Sequence, residues 1–229
     1  MKNKILWGLT IFPIVVTAVV LRFMPDTVPM HYNTAGEIDR WGSKYENFIF
    51  PCMIVVLTLF WKAIMKYYRK KQYRVTEDKA VKEAENNEKF LYYVAVSMAV
   101  MFGCLQCFTL YGAYVTSTAS GNVTTSAIKF DDITNILMGC FFICLGNFLP
   151  KAKPNSIAGV RTVWAMHNDV TWSKSNRFGG IALIVCGVAT IVETLIVGGF
   201  ASTMIMLGFI ICFGVTSCVY SYKVYEKYK

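Results

Sequence analysis

Residues 178–222 read FGGIALIVCGVATIVETLIV GG FASTMIMLGFIICFGVTSCVYSY. A helix crosses the hydrocarbon core of a bilayer with about 20 apolar residues. This stretch holds two such runs, 178–197 and 200–222, parted by Gly198 and Gly199. It predicts two transmembrane helices joined by a tight turn. Hydrocarbon offers no partner to a backbone amide, so each run must bond internally, as a helix does. Glu193 is the only formal charge deep within a predicted span.

Working outward, four more apolar runs are found near 5–21, 48–65, 90–115 and 133–149. Hydrophobic residues make up 55% of the chain and charged residues 16%, which excludes an ordinary soluble domain. The short alternating strands of a membrane barrel are missing from the sequence. The fold expected is therefore an all-α integral membrane protein of six transmembrane helices. It divides into two membrane regions, 1–115 and 116–229. Lys2 and Lys4 before the first run resemble the start of a signal peptide. No small-x-small cleavage site follows, so the run reads as a retained helix.

Orientation follows from the basic residues. Arg22, Arg40, Lys44 and Lys129 are the only four Lys or Arg on the odd-numbered connections. The other 19 of 23 fall at the termini or near the second and fourth connections, including Lys62, Lys66, Arg69, Lys70, Lys71 and Arg74. The positive-inside rule then puts both termini in the cytoplasm. The net charge of +9 is accounted for by this clustering beside apolar spans. Membrane lipids are its expected partners, and direct nucleic-acid binding is not expected, since no recognition motif accompanies the charge.

No catalytic constellation emerges. His31 falls on the outer side and His167 on the inner, so they cannot meet. No metalloprotease, P-loop or nucleophile-elbow pattern is present. The eight cysteines lie in or beside apolar spans. Cys104 with Cys107, and Cys140 with Cys144, read as small apolar packing groups rather than metal or redox pairs. The spacing of His31, Glu37 and Asp39 matches no metal motif. No catalytic residue, cofactor or metal is expected.

The first outer loop, 24–47, contains Pro25 and Pro29, which break helix, and a turn-rich stretch from Asn33 to Gly36. It predicts a structured cap or ligand surface. In the second connection Thr76 caps a helix beginning with Glu77 and Asp78, a solvated extension of the third span. Asp78–Lys82 and Lys79–Glu83 have the spacing of supporting ion pairs. Asn122-Val123-Thr124 matches a glycosylation pattern and reads as a plain polar turn. In the fourth connection a short interfacial helix is expected from 157 to about 166, with Trp164 and Trp172 at the interface. Gln106, Asn135 and Glu193 all belong in the outer halves of their helices and form a conceivable polar cluster.

Two of these loops carry a family resemblance. The outer loop contains Pro29-Met30-His31-Tyr32-Asn33, Gly36, and Asp39-Arg40-Trp41-Gly42-Ser43-Lys44. The inner loop contains Gly146-Asn147-Phe148-Leu149-Pro150-Lys151, Pro154-Asn155, Gly159-Val160-Arg161-Thr162 and Trp164, then Trp172, Arg177 and Gly180. Both resemble signatures of the SdpI-like family of bacterial membrane immunity proteins. The chain departs from the family pattern at Ala165 and at Ser175-Asn176.

The resemblance implies a receptor in the bacterial plasma membrane that gives resistance to a secreted antimicrobial peptide toxin. It further implies that toxin engagement makes the protein hold a cytosolic transcriptional repressor at the membrane. The candidate ligand face is His31, Asn33, Asp39, Arg40, Trp41 and Lys44. Apart from the resemblance, the position of Gln106, Asn135 and Glu193 suits ligand recognition or conformational coupling, or structural hydrogen bonding. The candidate partner face is Asn147, Asn155, Arg161, Trp164, Trp172 and Arg177. A transporter or membrane-maintenance protein on the same scaffold is the alternative.

Overall fold

The computed structural model of the protein describes residues 2–72, 78–119, 129–155 and 157–229. Its elements are α1 (Lys2–Val20), β1 (Thr27–Tyr32), β2 (Ile38–Ser43), α2 (Ile49–Gln72), α3 (Asp78–Thr118), α4 (Phe130–Phe148), α5 (Asp169–Ile196) and α6 (Gly199–Tyr228). The cap at Thr76, the side-chain pairs of Asp78 and Lys79, and the Asn122 pattern lie outside what is described.

Six helical segments of 21 to 36 residues are apolar and long enough to cross a bilayer. Their outward faces explain why they need one. Phe12 is 59% exposed, Leu195 72% and Ile211 67%, within a continuous apolar surface that water would penalise. This is an all-α multi-pass membrane protein.

Both termini lie at one end of the bundle. There the Lys62 ammonium sits 4.5 Å from the Trp7 ring centroid, Asn87 donates to the Pro154 carbonyl, and Asn168 donates to the Tyr228 carbonyl. The β1–β2 hairpin and the α5–α6 turn lie at the other end. α1, α2 and α3 pack together, α3 meets α4, and α4, α5 and α6 form the second group.

The α4–α5 crossing is a close one, because glycines face each other across it. A Cβ on Gly139 would lie 2.8 Å from the Gly187 carbonyl oxygen, and one on Gly146 would lie 2.6 Å from that of Gly180. The partners are seven residues apart on each antiparallel helix, so both contacts fall on one seam.

The turn between α5 and α6 follows the sequence. Gly198 and Gly199 have φ of +68° and +62°, a conformation that penalises any Cβ. Asp132, in the first turn of α4, accepts from the Gly199 amide at 2.5 Å and so caps α6 from another helix. Asp132→Ala is expected to cost about 1 kcal/mol, read as a lower unfolding midpoint in detergent. An unchanged midpoint would remove this cap from the account.

The outer loop, expected as a structured cap, is a two-stranded antiparallel hairpin. One expectation needs correction. The inner loop has no helix over 157–166. The Asn155 side chain accepts the amides of Ile157 and Ala158 at 2.8 Å each, offering them an alternative to helical bonding. Gly159, at φ +127°, then turns the chain out of any helical path.

Candidate functional site

The hairpin end is built from short-range pieces. Asn33 makes the hairpin turn, its Oδ1 accepting the amides of Ala35 and Glu37 at 2.9 Å each. Gly36, at φ +79°, completes it. Val28 is fully buried and packs with Leu21, Met24, Leu110 and Ala113, which pins the hairpin onto α1 and α3. The Lys44 ammonium bonds Asp26 at 3.0 Å and the Met24 carbonyl at 3.2 Å, holding the base of the hairpin shut.

The hairpin is also locked to the start of α2. The Glu46 carboxylate accepts from the Ser43 amide at 3.0 Å and from the Arg40 guanidinium at 2.6 Å. Gly42 leaves the space that this carboxylate occupies, since a Cβ there would lie 2.3 Å from Glu46 Oε1.

Beneath this lock lies a cavity of about 330 Å3 between the hairpin, α2, α3 and the start of α4. Met30, Tyr32, Phe50, Leu105 and Phe130 supply its apolar wall, and Arg40 with Glu46 its charged rim. The Tyr32 and Phe130 rings meet at 5.1 Å between centroids, bridging the hairpin to α4. Its size is near the lower end of the range for small-ligand pockets, about 300–1,000 Å3.

Of the six ligand-face candidates, only Arg40 lines this cavity. His31 Nδ1 and Asp39 Oδ1 pair at 2.6 Å on the exposed side of the hairpin. Trp41 is 46% exposed. Asn33 and Lys44 are occupied in the turn and base just described. The sequence offered no signal for Phe50, Leu105 or Thr109, which fall in runs that read as lipid-facing or core, nor for Phe130, which precedes the run at 133–149.

The three intramembrane polar candidates separate into two places. Gln106 is fully buried among α1, α2 and α3, donating to Thr17 Oγ1 at 2.9 Å and to the Asn47 carbonyl at 3.0 Å. Asn135 instead donates to Ser202 Oγ at 3.0 Å and Thr203 Oγ1 at 3.1 Å. Ser202 bridges onward to Glu193 Oε1 at 3.0 Å and to Thr194 at 2.9 Å. Asn135 and Glu193 thus share a network, and Gln106 does not. α3 packs Gln106 towards α1 and α2, whereas the second network lies within the α4–α6 group.

At the termini end, the partner-face candidates also divide. Trp172 is 2% exposed and donates to the Ala152 carbonyl at 2.8 Å, so it is a core residue rather than an interfacial anchor. Asn155 organises the loop by its own hydrogen bonds, and Asn147 bonds back to Ile143. Arg161 and Arg177 are exposed. Trp164 is half-buried, edge-on to Tyr222 at 5.1 Å between centroids. Asn176, at a position where the chain departs from the family signature, is fully buried. It accepts the Val160 amide at 2.8 Å and donates to the Trp172 carbonyl at 3.0 Å. Here the departing residue serves as a clamp.

Comparison with known proteins gives matches in both halves of the chain. Residues 151–221, from the inner loop through most of α6, match the SdpI/YfhL protein family. Residues 8–55, including the hairpin, match a domain of unknown function (DUF1648). The chain is 25% identical over 228 residues to the Immunity protein SdpI of Bacillus subtilis (strain 168), covering 99% of this chain and 98% of that protein. Along nearly its whole length the chain is similar to the SdpI-like family. The SdpI-like match therefore runs through both ends of the bundle, the hairpin and cavity as well as the clamped loop. No solved structure matches the chain.

Proposed function

We propose that this SdpI-like protein is an immunity protein of the bacterial cytoplasmic membrane that protects against a secreted antimicrobial peptide toxin, engaging it at the hairpin-end cavity. The observation that carries the reading is the full-length likeness to an immunity protein. The basic residues gathered at the termini end favour an orientation with both termini cytoplasmic and the hairpin outside. The cavity then faces the side from which a secreted peptide arrives.

A membrane-active peptide presents apolar side chains together with charge. The apolar wall receives such a side chain, and burying one is worth about 1.5–3 kcal/mol. Arg40 and Glu46 at the rim offer one charge of each sign to the peptide's polar groups. The protein acts by binding and needs no bond-making step. In the signalling arm of the reading, Arg161, Trp164 and Arg177 form the surface that holds a cytosolic transcriptional repressor. Occupation of the cavity shifts this surface only if the two states differ in affinity for the toxin.

The test is survival of a sensitive bacterium expressing the chain, challenged with a panel of secreted antimicrobial peptides. Selective protection, with the protein confirmed in the membrane, is the expected result. No protection across a panel that includes the toxin encoded nearest the gene would overturn the immunity reading.

A further inference from the structure

A second cleft, of about 810 Å3, opens at the termini end between α1, α2 and α3. Lys62, Lys66 and Arg69 of α2 face Glu85, Glu88 and Lys89 of α3 across it. The two acids are already engaged. Glu88 pairs with Arg69, and Glu85 with Lys89 at 2.7 Å. Lys62 and Lys66 have no carboxylate partner among the described residues. Lys62 rests on the Trp7 ring, and Lys66 is exposed. The cleft thus carries two uncompensated positive charges one helical turn apart.

Depth and direction decide what fits. Lys62 and Lys66 stand where the apolar run of α2 gives way to its basic end, which is headgroup depth for a helix spanning the membrane. Leu59, Lys62 and Lys66 fall at helical spacings of three and four, on one face of α2. Leu59 is 51% exposed. That face therefore reads cationic at the surface and apolar directly below. A soluble anion would use only the first part; a phospholipid uses both.

We propose that this cleft binds one anionic phospholipid, with its phosphodiester between Lys62 and Lys66 and an acyl chain descending along the Leu59 face of α2. The site is separate from the hairpin-end cavity and does not depend on the immunity reading.

The test uses the purified full-length chain in neutral detergent, titrated with phosphatidylglycerol. Native mass spectrometry is expected to show one retained phosphatidylglycerol, with phosphatidylcholine washed away. At about 1 kcal/mol per surface lysine, Lys62→Gln with Lys66→Gln should weaken binding about thirty-fold. The pair Lys62→Arg with Lys66→Arg should keep the affinity, which separates loss of charge from loss of fold. The pair Lys151→Gln with Lys153→Gln, on the same end but outside the cleft, should leave it unchanged. Equal retention of phosphatidylcholine, equal weakening by both Gln pairs, or no weakening by the α2 pair would overturn the proposal. So would full displacement by millimolar inorganic phosphate, which would make this a site for a soluble anion.

Discussion

Gly187→Val is expected to separate α4 from α5 and leave little folded protein. A Cβ at Gly187 would stand 2.5 Å from the Gly139 carbonyl oxygen and 3.0 Å from the Ile143 amide nitrogen. Both are backbone atoms of α4, so no rotamer change relieves the clash and the helices must part. Overpacking of a filled interior costs about 1–3 kcal/mol, occasionally more, and two backbone contacts put this site at the upper end. Parting the helices also loosens the Gly146–Gly180 crossing one heptad away. The control is Gly208→Val in α6, where a Cβ meets nothing within 4 Å. Unfolding in mixed detergent micelles should show a large fall in stability for Gly187→Val and a change within about 0.5 kcal/mol for Gly208→Val. Similar behaviour of the two would refute the close seam.

Trp172→Ala should be at least as damaging, through a different mechanism. The indole is in the core cluster that ties the inner loop to α3, with Leu91, Ala95, Leu149 and Ala165. Its truncation leaves a cavity, at about 3–5 kcal/mol for an aromatic side chain. It also strands the Ala152 carbonyl, which accepts the indole N–H at 2.8 Å. Trp172→Phe keeps most of the volume and loses only that bond, so it should cost about 1–3 kcal/mol. Limited proteolysis should then cut the 150–168 loop readily in the Ala variant and slowly in the Phe variant. Equal resistance of the Ala variant and the native protein would show that the loop is held by something else.

The six spans were legible because hydropathy is a one-dimensional property, and runs such as 178–197 carry it without help from neighbours. The Gly198-Gly199 turn was legible for the same reason. The β hairpin was not, because Pro29 lies within a six-residue strand and the register shifts between Pro29 and Tyr32. That irregularity hides the alternation a strand normally shows. Its turn at Asn33 to Gly36 did appear in the sequence.

The glycine seam left a trace, in the equal seven-residue spacings of Gly139 with Gly146 and of Gly180 with Gly187. The trace acquires meaning only once α4 and α5 are known to be antiparallel and in contact. That Gln106, Asn135 and Glu193 lie toward the hairpin end of their helices was readable, but not which helices each faces. That is why one expected cluster became two. The cavity was the least legible feature. Phe50, Leu105 and Phe130 are ordinary apolar residues of three different helices, and only packing brings them under Arg40.

The central claim is that a peptide toxin is engaged in that cavity, and Thr109→Trp tests it directly. Thr109 lines the cavity, and its hydroxyl bonds only back to the Leu105 carbonyl, at 2.9 Å, so an indole there fills the space without breaking a contact between elements. The measurement is binding of the protective peptide to purified native and Thr109→Trp proteins, matched for stability. The account predicts that the native protein binds and the filled variant loses at least about tenfold in affinity, as expected when an apolar anchor worth about 1.5–3 kcal/mol is displaced. Equal binding by the two proteins would contradict it.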